Sequence, residues 1–503
     1  MSSMAQKKSI VFFHPDLGIG GAERLVIDAA VGLQARGHKV TIFTSHCDPG
    51  HCFEEARDGT LDVRVRGNSL VPSSIFGRFA ILCAILRQLH LVCIVALWNY
   101  ELDHLRPTHF FVDQLSAAVP LLRFLYTDVG ILFYCHFPDQ LLAQKGEGAI
   151  AVLKKGYRLP FNAIESWSTA SSHGIVVNSK FTGGVVKRVF PRLAKRDLKV
   201  VYPCVDTSTA NQLQKKSVWS GRKVILSINR FEKKKDVALA VKAFASLDAP
   251  IRKSALLVIA GGYDPRVQEN VNTHQELQQL ADSFKLSHET HKSLPDPSAI
   301  SENTSVLFLL SVPDTLKQSL LASADLLVYT PQNEHFGIVP LEAMLAQVPV
   351  LAANEGGPLE TVVEGETGWL RDIRKPEEWA AVMSRVLSHP NPAELRKMGE
   401  NGRKRVQGEF SKEQMALRLD QSLDQVSDPH KKPQEPPTIP SWLWMVIIVA
   451  IVAISLSLGA TWLLFFLLNQ SKAMQDSIQQ HNAAQTLTEQ VIAVTTQIVK
   501  NEL

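Results

Sequence analysis

Cysteine is scarce in this chain: six residues in 503, at positions 47, 52, 83, 93, 135 and 204, scattered through long apolar stretches. That distribution fits a reduced cytosolic environment better than a disulfide framework. An excess of one charge is also missing. With 53 Lys and Arg against 49 Asp and Glu the formal net charge is +4, and no basic stripe interleaved with aromatics occurs. Nucleic acid is therefore not an expected partner. The segment Met1 to Lys8 is polar and leads straight into an apolar run, without the basic start, apolar stretch and small-residue cleavage site of a secretory leader, so a cleaved signal peptide is not expected. No pair of aspartates stands in a D-x-D arrangement that would hold a divalent ion. What is present is an ordinary globular balance, 45% apolar and 20% charged, in a chain long enough for two or three domains.

Short apolar runs alternate with helical stretches along most of the length. A first series reads as strands over Ile10 to His14, Val40 to Thr44, Ile94 to Leu97, Phe110 to Val112, Ile131 to Tyr134 and Ile175 to Val177. A second begins at Val224 and continues with Leu256 to Ala260, Val306 to Leu309, Leu326 to Tyr329 and Pro349 to Ala352. Alternation of this kind predicts an α/β fold: two parallel sheets, each covered by helices on both faces. Ligands of such sheets collect at the carboxyl ends of the strands.

One segment at such an end stands out. Glu334-His335-Phe336-Gly337-Ile338-Val339 follows the Leu326 strand, and Glu342 follows on the first turn of a predicted helix, so two carboxylates lie eight positions apart around a glycine turn. Free N–H groups at the helix start suit an anionic or hydroxyl-rich ligand. Two further stretches have comparable chemistry. Gly18-Ile19-Gly20-Gly21-Ala22-Glu23-Arg24 joins the first strand to its helix, and its glycines let the backbone approach phosphates. A dinucleotide fingerprint would need a third glycine where Glu23 stands, which disfavours a nicotinamide enzyme. In the other, Arg230 and Lys235 sit five apart where the Val224 strand gives way to the next helix.

These pieces resemble, in the right order, the retaining family-four glycosyltransferases, whose E-x7-E signature matches Glu334 and Glu342. The resemblance covers roughly residues 8 to 425 and includes Tyr134 to Asp139, Gly174 to Ser179 and Val201 to Asp206. In the last of these Cys204 replaces the usual glycine, which puts the local turn in question but not the fold. The resemblance implies a GT-B architecture: two Rossmann-like domains facing a cleft, an acceptor domain over 1–215 and a nucleotide-sugar domain over 216–427, with the last helices, about 394–426, packed back on the first domain. It implies roles as well. Arg230 and Lys235 would bind the diphosphate, Glu334 would face the donor sugar, and His136 would lie near the anomeric carbon. The backbone around His335, Phe336, Gly337 and Ile338 would hold sugar hydroxyls and Glu342 the ribose, with Gly20, Gly21, Gly356 and Gly357 completing the donor pocket. Neither cofactor nor metal is implied.

Within the family, the runs Ile228 to Asp236, His136 to Leu142 and His46 to Glu55, with an apolar C-terminal stretch, are similar to the branch of endoplasmic-reticulum α-1,3/1,6-mannosyltransferases. That branch implies GDP-mannose as donor and dolichyl-pyrophosphate-linked Man1GlcNAc2 as acceptor, extended to Man3GlcNAc2, with other mannosyltransferases of the pathway as partners. Two readings stand beside it: a retaining transferase of the same fold with another lipid or polysaccharide acceptor, and a non-catalytic scaffold subunit. His46, Cys47, His51 and Cys52 crowd one loop and read as a plain connection or as zinc ligands.

Residues 441–468 contain no charge and are long enough to cross a bilayer, with Trp442, Trp444 and Trp462 suited to its interfaces. They read as one transmembrane helix or as a re-entrant hairpin turning at Gly459. A proline-rich linker, 428–440, precedes them. Lys431 and Lys432 on one side and Lys472 on the other weakly favour a cytosolic catalytic portion on the endoplasmic-reticulum membrane. The tail, 469–503, carries Leu487, Val491, Val494 and Ile498 at helical spacing and ends in Lys500-Asn501-Glu502-Leu503, similar to a retrieval signal. A second apolar run, Phe79 to Leu97, is broken by Arg87, Gln88 and His90 and predicts a buried or membrane-surface helix followed by the Ile94 strand.

Overall fold

A computed structural model describes residues 7–75, 79–142, 148–208, 219, 221–292, 300–388, 392–427 and 438. The apolar segment 441–468, the tail 469–503 and all but one residue of the linker 428–440 lie outside the described residues.

Among the described residues fourteen strands form two all-parallel, seven-stranded sheets. In chain order the first sheet contains β1 (Ser9–Asp16), β2 (Lys39–His46), β3 (Asp62–Val65), β4 (His109–Asp113), β5 (Gly130–Cys135), β6 (Gly174–Val177) and β7 (Lys199–Val200). Its spatial order is β3-β2-β1-β4-β5-β6-β7. The second contains β8 (Lys223–Ile228), β9 (Ala255–Gly261), β10 (His288–His291), β11 (Val306–Leu310), β12 (Leu326–Tyr329), β13 (Val350–Ala353) and β14 (Gly368–Arg371), ordered β10-β11-β9-β8-β12-β13-β14.

Alternation of side chains decides the layers. On β1, Ile10 and Phe12 join one buried cluster with the helix Gly21–Ala35, while Val11 and Phe13 join another on the opposite face. Phe12 stands in register between Ile42 of β2 and Phe111 of β4, and its ring stacks on Phe111 at 4.3 Å. Both faces are therefore dry, as a parallel sheet requires. The second sheet repeats the pattern, with Leu226 on one face and Ile225 on the other.

Two features depart from the sequence reading. Ile94–Trp98 is a π-helical extension of the helix Ala80–Cys93 rather than a strand. Its β-branched, apolar composition fits either state, and pairing with the β-sheet would have broken a continuous 19-residue apolar helix. Among the described residues this helix is long and apolar enough to cross a membrane; a third of it is buried, and Leu86, Leu97 and Trp98 are exposed. The return to the first sheet also comes later than about residue 394. The helix Pro392–Glu409 stays with the second sheet, where Gly402 lets it close on Met344. Among the described residues only the helix Lys412–Val426 crosses over, burying Met415, Leu419 and Leu423 against the helix Gly21–Ala35. Its Asp420 is tied to Lys8, to Arg36 at 2.8 Å and to His38 at 3.1 Å.

Candidate active site

At the carboxyl ends of the second sheet's strands lies a cavity of about 290 Å³, lined by Asn229, Arg230, Lys235, Gly262, Lys317 and Glu342 together with apolar neighbours. Three cations thus converge where such a sheet binds ligands. Arg230 stands two residues past the end of β8; it is 62% exposed and rests on Glu232 at 2.9 Å. Lys235 occupies a short helical turn, Lys233–Lys235, whose carbonyl accepts a hydrogen bond from the Thr330 hydroxyl at 2.7 Å. Its ammonium donates to Glu334 at 2.5 Å. Lys317, on the helix Asp314–Ser323, donates to Glu342 at 2.8 Å and pairs with Asp314 at 3.1 Å. Burial works against its charge, but Glu342 and Asp314 outweigh that and raise its pKa, so it is a cation. Each carboxylate of the eight-spaced pair therefore has its own lysine.

Backbone contacts fix the loop that carries Glu334. Gly356 has φ +67°, and a Cβ there would stand 2.6 Å from the Glu334 carbonyl oxygen. The amide of Gly357 donates to that oxygen at 2.7 Å, and a Cβ on Gly357 would come within 2.2 Å of the Phe336 carbonyl. Both glycines sit under the loop rather than in the cavity wall. Gly337, at φ +86°, lies against the Tyr329 ring, whose phenol is pushed well up by burial first and then by Glu334. The Phe336 side chain belongs to the buried core, stacked on Tyr202 at 5.5 Å. Glu342 rides the first turn of the helix Val339–Leu345, with Ile338 at its N-cap.

The first sheet contributes a second cluster. His136 follows β5, and its Nε2 lies 3.1 Å from Asp113 at the end of β4. Asp113 is fully buried and also meets Nδ1 of His14, on β1, at 2.9 Å. Burial pushes the Asp113 pKa up, but the two imidazoles outweigh it and leave a net depression; the same pairing raises His14 against its own burial. Neither Asp113 nor His14 was singled out in the sequence, although each lies at the end of a strand that the pattern located. Gly20 is the N-cap of the helix Gly21–Ala35 and stands on this first-sheet side, outside the lining of the cavity, as does Gly21. Glu165, 26 positions on from Asp139, accepts the Asp139 amide at 2.6 Å; burial, the main cause, lifts its pKa to about 7.

Contacts between the two sheets' loops bring the clusters together. The His335 ring stacks on Phe137 at 3.7 Å between centroids, 9° from parallel, and the His335 carbonyl accepts from the Ser179 hydroxyl at 2.5 Å. Burial is the main cause of the lowered pKa of His335. Glu360 accepts from the amides of Lys180 and Phe181, at 2.8 and 2.9 Å, at the start of the helix Lys180–Val189, and from the Tyr202 hydroxyl at 3.0 Å. A carboxylate at a helix N-terminus is favourably placed. His136 and Glu334 thus come from neighbouring loops of opposite sheets.

Cys47 faces Cys52 on the loop after β2, and burial, then the neighbouring thiol, push its pKa up to about 11. Among the described residues no group of three His, Cys, Asp or Glu is arranged to hold a metal ion.

Comparison with known proteins agrees with this layout. Residues 19–209 match the model described as Glycosyltransferase Family 4 and residues 209–405 the model described as Glycosyl transferases group 1. The chain is 59% identical over 431 residues to an α-1,3/1,6-mannosyltransferase of Neurospora crassa, covering 84% of this chain and 91% of that protein. It is 49% identical over 425 residues to the enzyme of the same name from Schizosaccharomyces pombe, covering 82% and 80%. For the corresponding enzyme of Saccharomyces cerevisiae the identity is 46% over 452 residues, with 85% and 86% covered. Among solved structures, the catalytic domain of starch synthase IV from Arabidopsis thaliana aligns with a TM-score of 0.62 at 15% identity, over 84% of this chain and all of that one. Sucrose-phosphate synthase from Thermosynechococcus elongatus aligns with a TM-score of 0.60 at 19% identity, over 83% and 98%. At those identities the likeness concerns the fold, two parallel sheets in the GT-B arrangement.

Proposed function

This chain belongs to the family-four glycosyltransferases and, within them, to the α-1,3/1,6-mannosyltransferases, and from that premise we propose that the Arg230–Lys235–Lys317 cavity binds the nucleotide diphosphate of GDP-mannose. The two lysine–glutamate pairs carry this reading. A leaving diphosphate gathers charge as the glycosidic bond breaks, and fixed cations in a partly enclosed site stabilise it most. Arg230 and Lys235 supply that stabilisation. Lys235 at the same time holds Glu334 toward the mannose, and Lys317 holds Glu342 for the ribose hydroxyls, which a carboxylate oxygen left free can accept. Backbone amides of Phe336, Gly337 and Ile338 hold sugar hydroxyls, and His136 meets the sugar from the other side of the cleft.

The reaction retains anomeric configuration. The acceptor hydroxyl enters on the face that the diphosphate leaves, and a donor phosphate oxygen takes its proton. No step requires a cofactor. The acceptor is dolichyl-pyrophosphate-linked Man1GlcNAc2, which gains an α-1,3- and an α-1,6-linked mannose to become Man3GlcNAc2. Residues 1–215 form the acceptor domain and 216–427 the nucleotide-sugar domain, whose last helix, Lys412–Val426, packs back on the first. The uncharged segment 441–468 anchors the enzyme in the endoplasmic-reticulum membrane with its catalytic part in the cytosol, where other mannosyltransferases of the pathway are its neighbours.

Mass spectrometry of the product formed by detergent-solubilised full-length protein from GDP-mannose and synthetic Man1GlcNAc2-pyrophosphoryl lipid tests the reading. A gain of two hexoses supports it. No transfer from GDP-mannose, with transfer from another sugar nucleotide, would overturn the donor assignment.

A further inference from the structure

Among the described residues His136 has one hydrogen-bonding neighbour for its ring, and the chemistry around that neighbour is unusually restrictive. Asp113 is completely buried between two imidazoles, His136 on one side at 3.1 Å and His14 on the other at 2.9 and 3.0 Å to its two oxygens. His14 is itself buried, and its second nitrogen, Nε2, lies 3.1 Å from the backbone carbonyl of Asp16. A backbone carbonyl can only accept. Nε2 of His14 must therefore carry a proton, and Nδ1 shares another with Asp113. The remaining charged group near His14 is Glu23 on the following helix, 4.0 Å from Nε2, which also favours a cation there.

We propose that His14 and Asp113 are positioning residues that hold His136 with its proton on Nε2, so that Nδ1 presents a lone pair to a sugar hydroxyl in the transfer site. The proposal rests on the reading that His136 faces the sugar. Its logic is that of a buried carboxylate orienting a histidine, where the far nitrogen's partner sets the tautomer. What differs is the second imidazole. A lone carboxylate beside His136 would draw it toward the imidazolium form, with no lone pair left on either nitrogen. Here the charge of Asp113 is already balanced by His14, so the carboxylate can accept from Nε2 without demanding a full proton on His136. The shifts at the pair agree with the charged assignment, since His14 is raised and Asp113 lowered despite complete burial.

The surroundings fix the ring as well as its proton. The Tyr134 ring lies 4.8 Å from that of His136, and its hydroxyl is committed elsewhere, donating to the Val201 carbonyl at 2.7 Å. Asn178 donates to the His136 backbone carbonyl at 2.9 Å. Among the described residues Nδ1 of His136 has no hydrogen-bond partner, and 19% of the side chain remains exposed. The unused nitrogen is the one available to a ligand. Because His14 stands on β1, two residues before Asp16 and just ahead of the glycine loop, the same triad links that loop to the His136 loop.

Two measurements on the full-length, detergent-solubilised protein test this. Nitrogen-15 spectra of histidine-labelled protein at neutral pH, assigned with His14→Gln and His136→Gln, are expected to show both nitrogens of His14 protonated and only Nε2 of His136 protonated. A proton on Nδ1 of His136, or a singly protonated His14, overturns the proposal, and this readout is independent of whether GDP-mannose is the donor. In the second, Asp113→Asn, which can donate to Nε2 and so reverses the tautomer, is expected to lower kcat about 100-fold or more while KM for GDP-mannose stays within about threefold. Retention of more than about a third of the wild-type kcat overturns it. If Asp113→Asn does not fold, the wild-type spectrum still decides. Wild-type protein that transfers nothing from GDP-mannose but shows the stated tautomers would sink the donor assignment alone.

Discussion

Lys317 and Glu342 meet at 2.8 Å across the wall of the cavity, the cation coming from the helix after β11 and the carboxylate from the helix after β12. The pair is one quarter exposed on each side, so it is formed in water-poor surroundings but remains open to a ligand. With Lys317 engaging one oxygen of Glu342, the carboxylate is oriented by the protein itself.

Replacing Lys317 by Met removes that orientation without removing the carboxylate. A charge-assisted hydrogen bond contributes about 1.5–3 kcal/mol, which corresponds to roughly a 10- to 100-fold rise in KM for GDP-mannose with kcat changed by only a few fold. Initial rates at varied donor concentration measure this. An unchanged KM would mean that the pair lies outside the donor site.

Arg230 and Lys235 separate differently. Arg230 is largely in solvent and packs little, so Arg230→Ala leaves the melting temperature where it is while kcat falls about 100- to 1,000-fold through loss of a transition-state contact. Lys235 is only 14% exposed and neutralises Glu334, so Lys235→Ala loses the same chemistry and also leaves a half-buried carboxylate without its partner. Parallel kinetics and thermal denaturation distinguish the two. If Arg230→Ala kept most of its turnover, the diphosphate assignment would be wrong.

How much of this was legible in the sequence depends on burial. Every strand found from apolar runs is interior, and the four strands that escaped, β3, β7, β10 and β14, are the edges of the two sheets. Edge strands bury less and need fewer apolar residues. His288–His291 reads HETH and contains no aliphatic residue at all, while Lys199–Val200 is two residues long. The reverse error at Ile94–Trp98 came from a run too apolar to show a period of either kind. At the candidate site, Arg230, Lys235, Glu334 and Glu342 stand out in the sequence because their spacing matches a known signature. Lys317, Asp113 and His14 carry no such spacing: they are brought to the site from separate strands and helices, and only three-dimensional contacts with Glu342 and His136 single them out.

Gly357 is the most confined position beneath the Glu334 loop. A methyl group there would overlap the Phe336 carbonyl at 2.2 Å, which is backbone and cannot rotate away. Gly357→Ala must therefore displace the loop, with a cost of about 2 kcal/mol or more in stability and a loss of kcat as Glu334 moves off Lys235. Thermal melting and activity should fall together. A variant with wild-type stability and rate would show that the loop shifts freely and that its observed position does not matter to catalysis.

The crossover helix Lys412–Val426 gives the first sheet a titratable fastening. His109 on β4, buried, lies 3.1 Å from the Leu423 carbonyl and 2.6 Å from the Ser427 hydroxyl, while its other nitrogen meets the Thr108 hydroxyl at 2.9 Å. Those partners suit a neutral ring, and burial, the leading cause, lowers its pKa to about 4. The ordinary unfolded value is near 6.5, so between these two pH values the unfolded chain binds more protons than the folded one. Stability is complete above pH ~6.5 and falls as the pH drops through that value, by about 1.4 kcal/mol per pH unit for this one group until the ring protonates in place. His38, also lowered chiefly by burial and set against Asp420 of the same helix, adds a slope of the same sign. Asp420, held below the usual carboxylate range against burial by Lys8 and Arg36, keeps its contribution over this interval and loses it only in stronger acid. Hydrogen exchange of the helix amides at pH 7.5 and 5.5 is expected to show faster opening at the lower pH after correction for intrinsic rates, and His109→Asn to reduce that difference. Equal protection at both pH values in the wild-type protein would mean that His109 is charged in the folded state and that its pairing with Leu423 survives protonation.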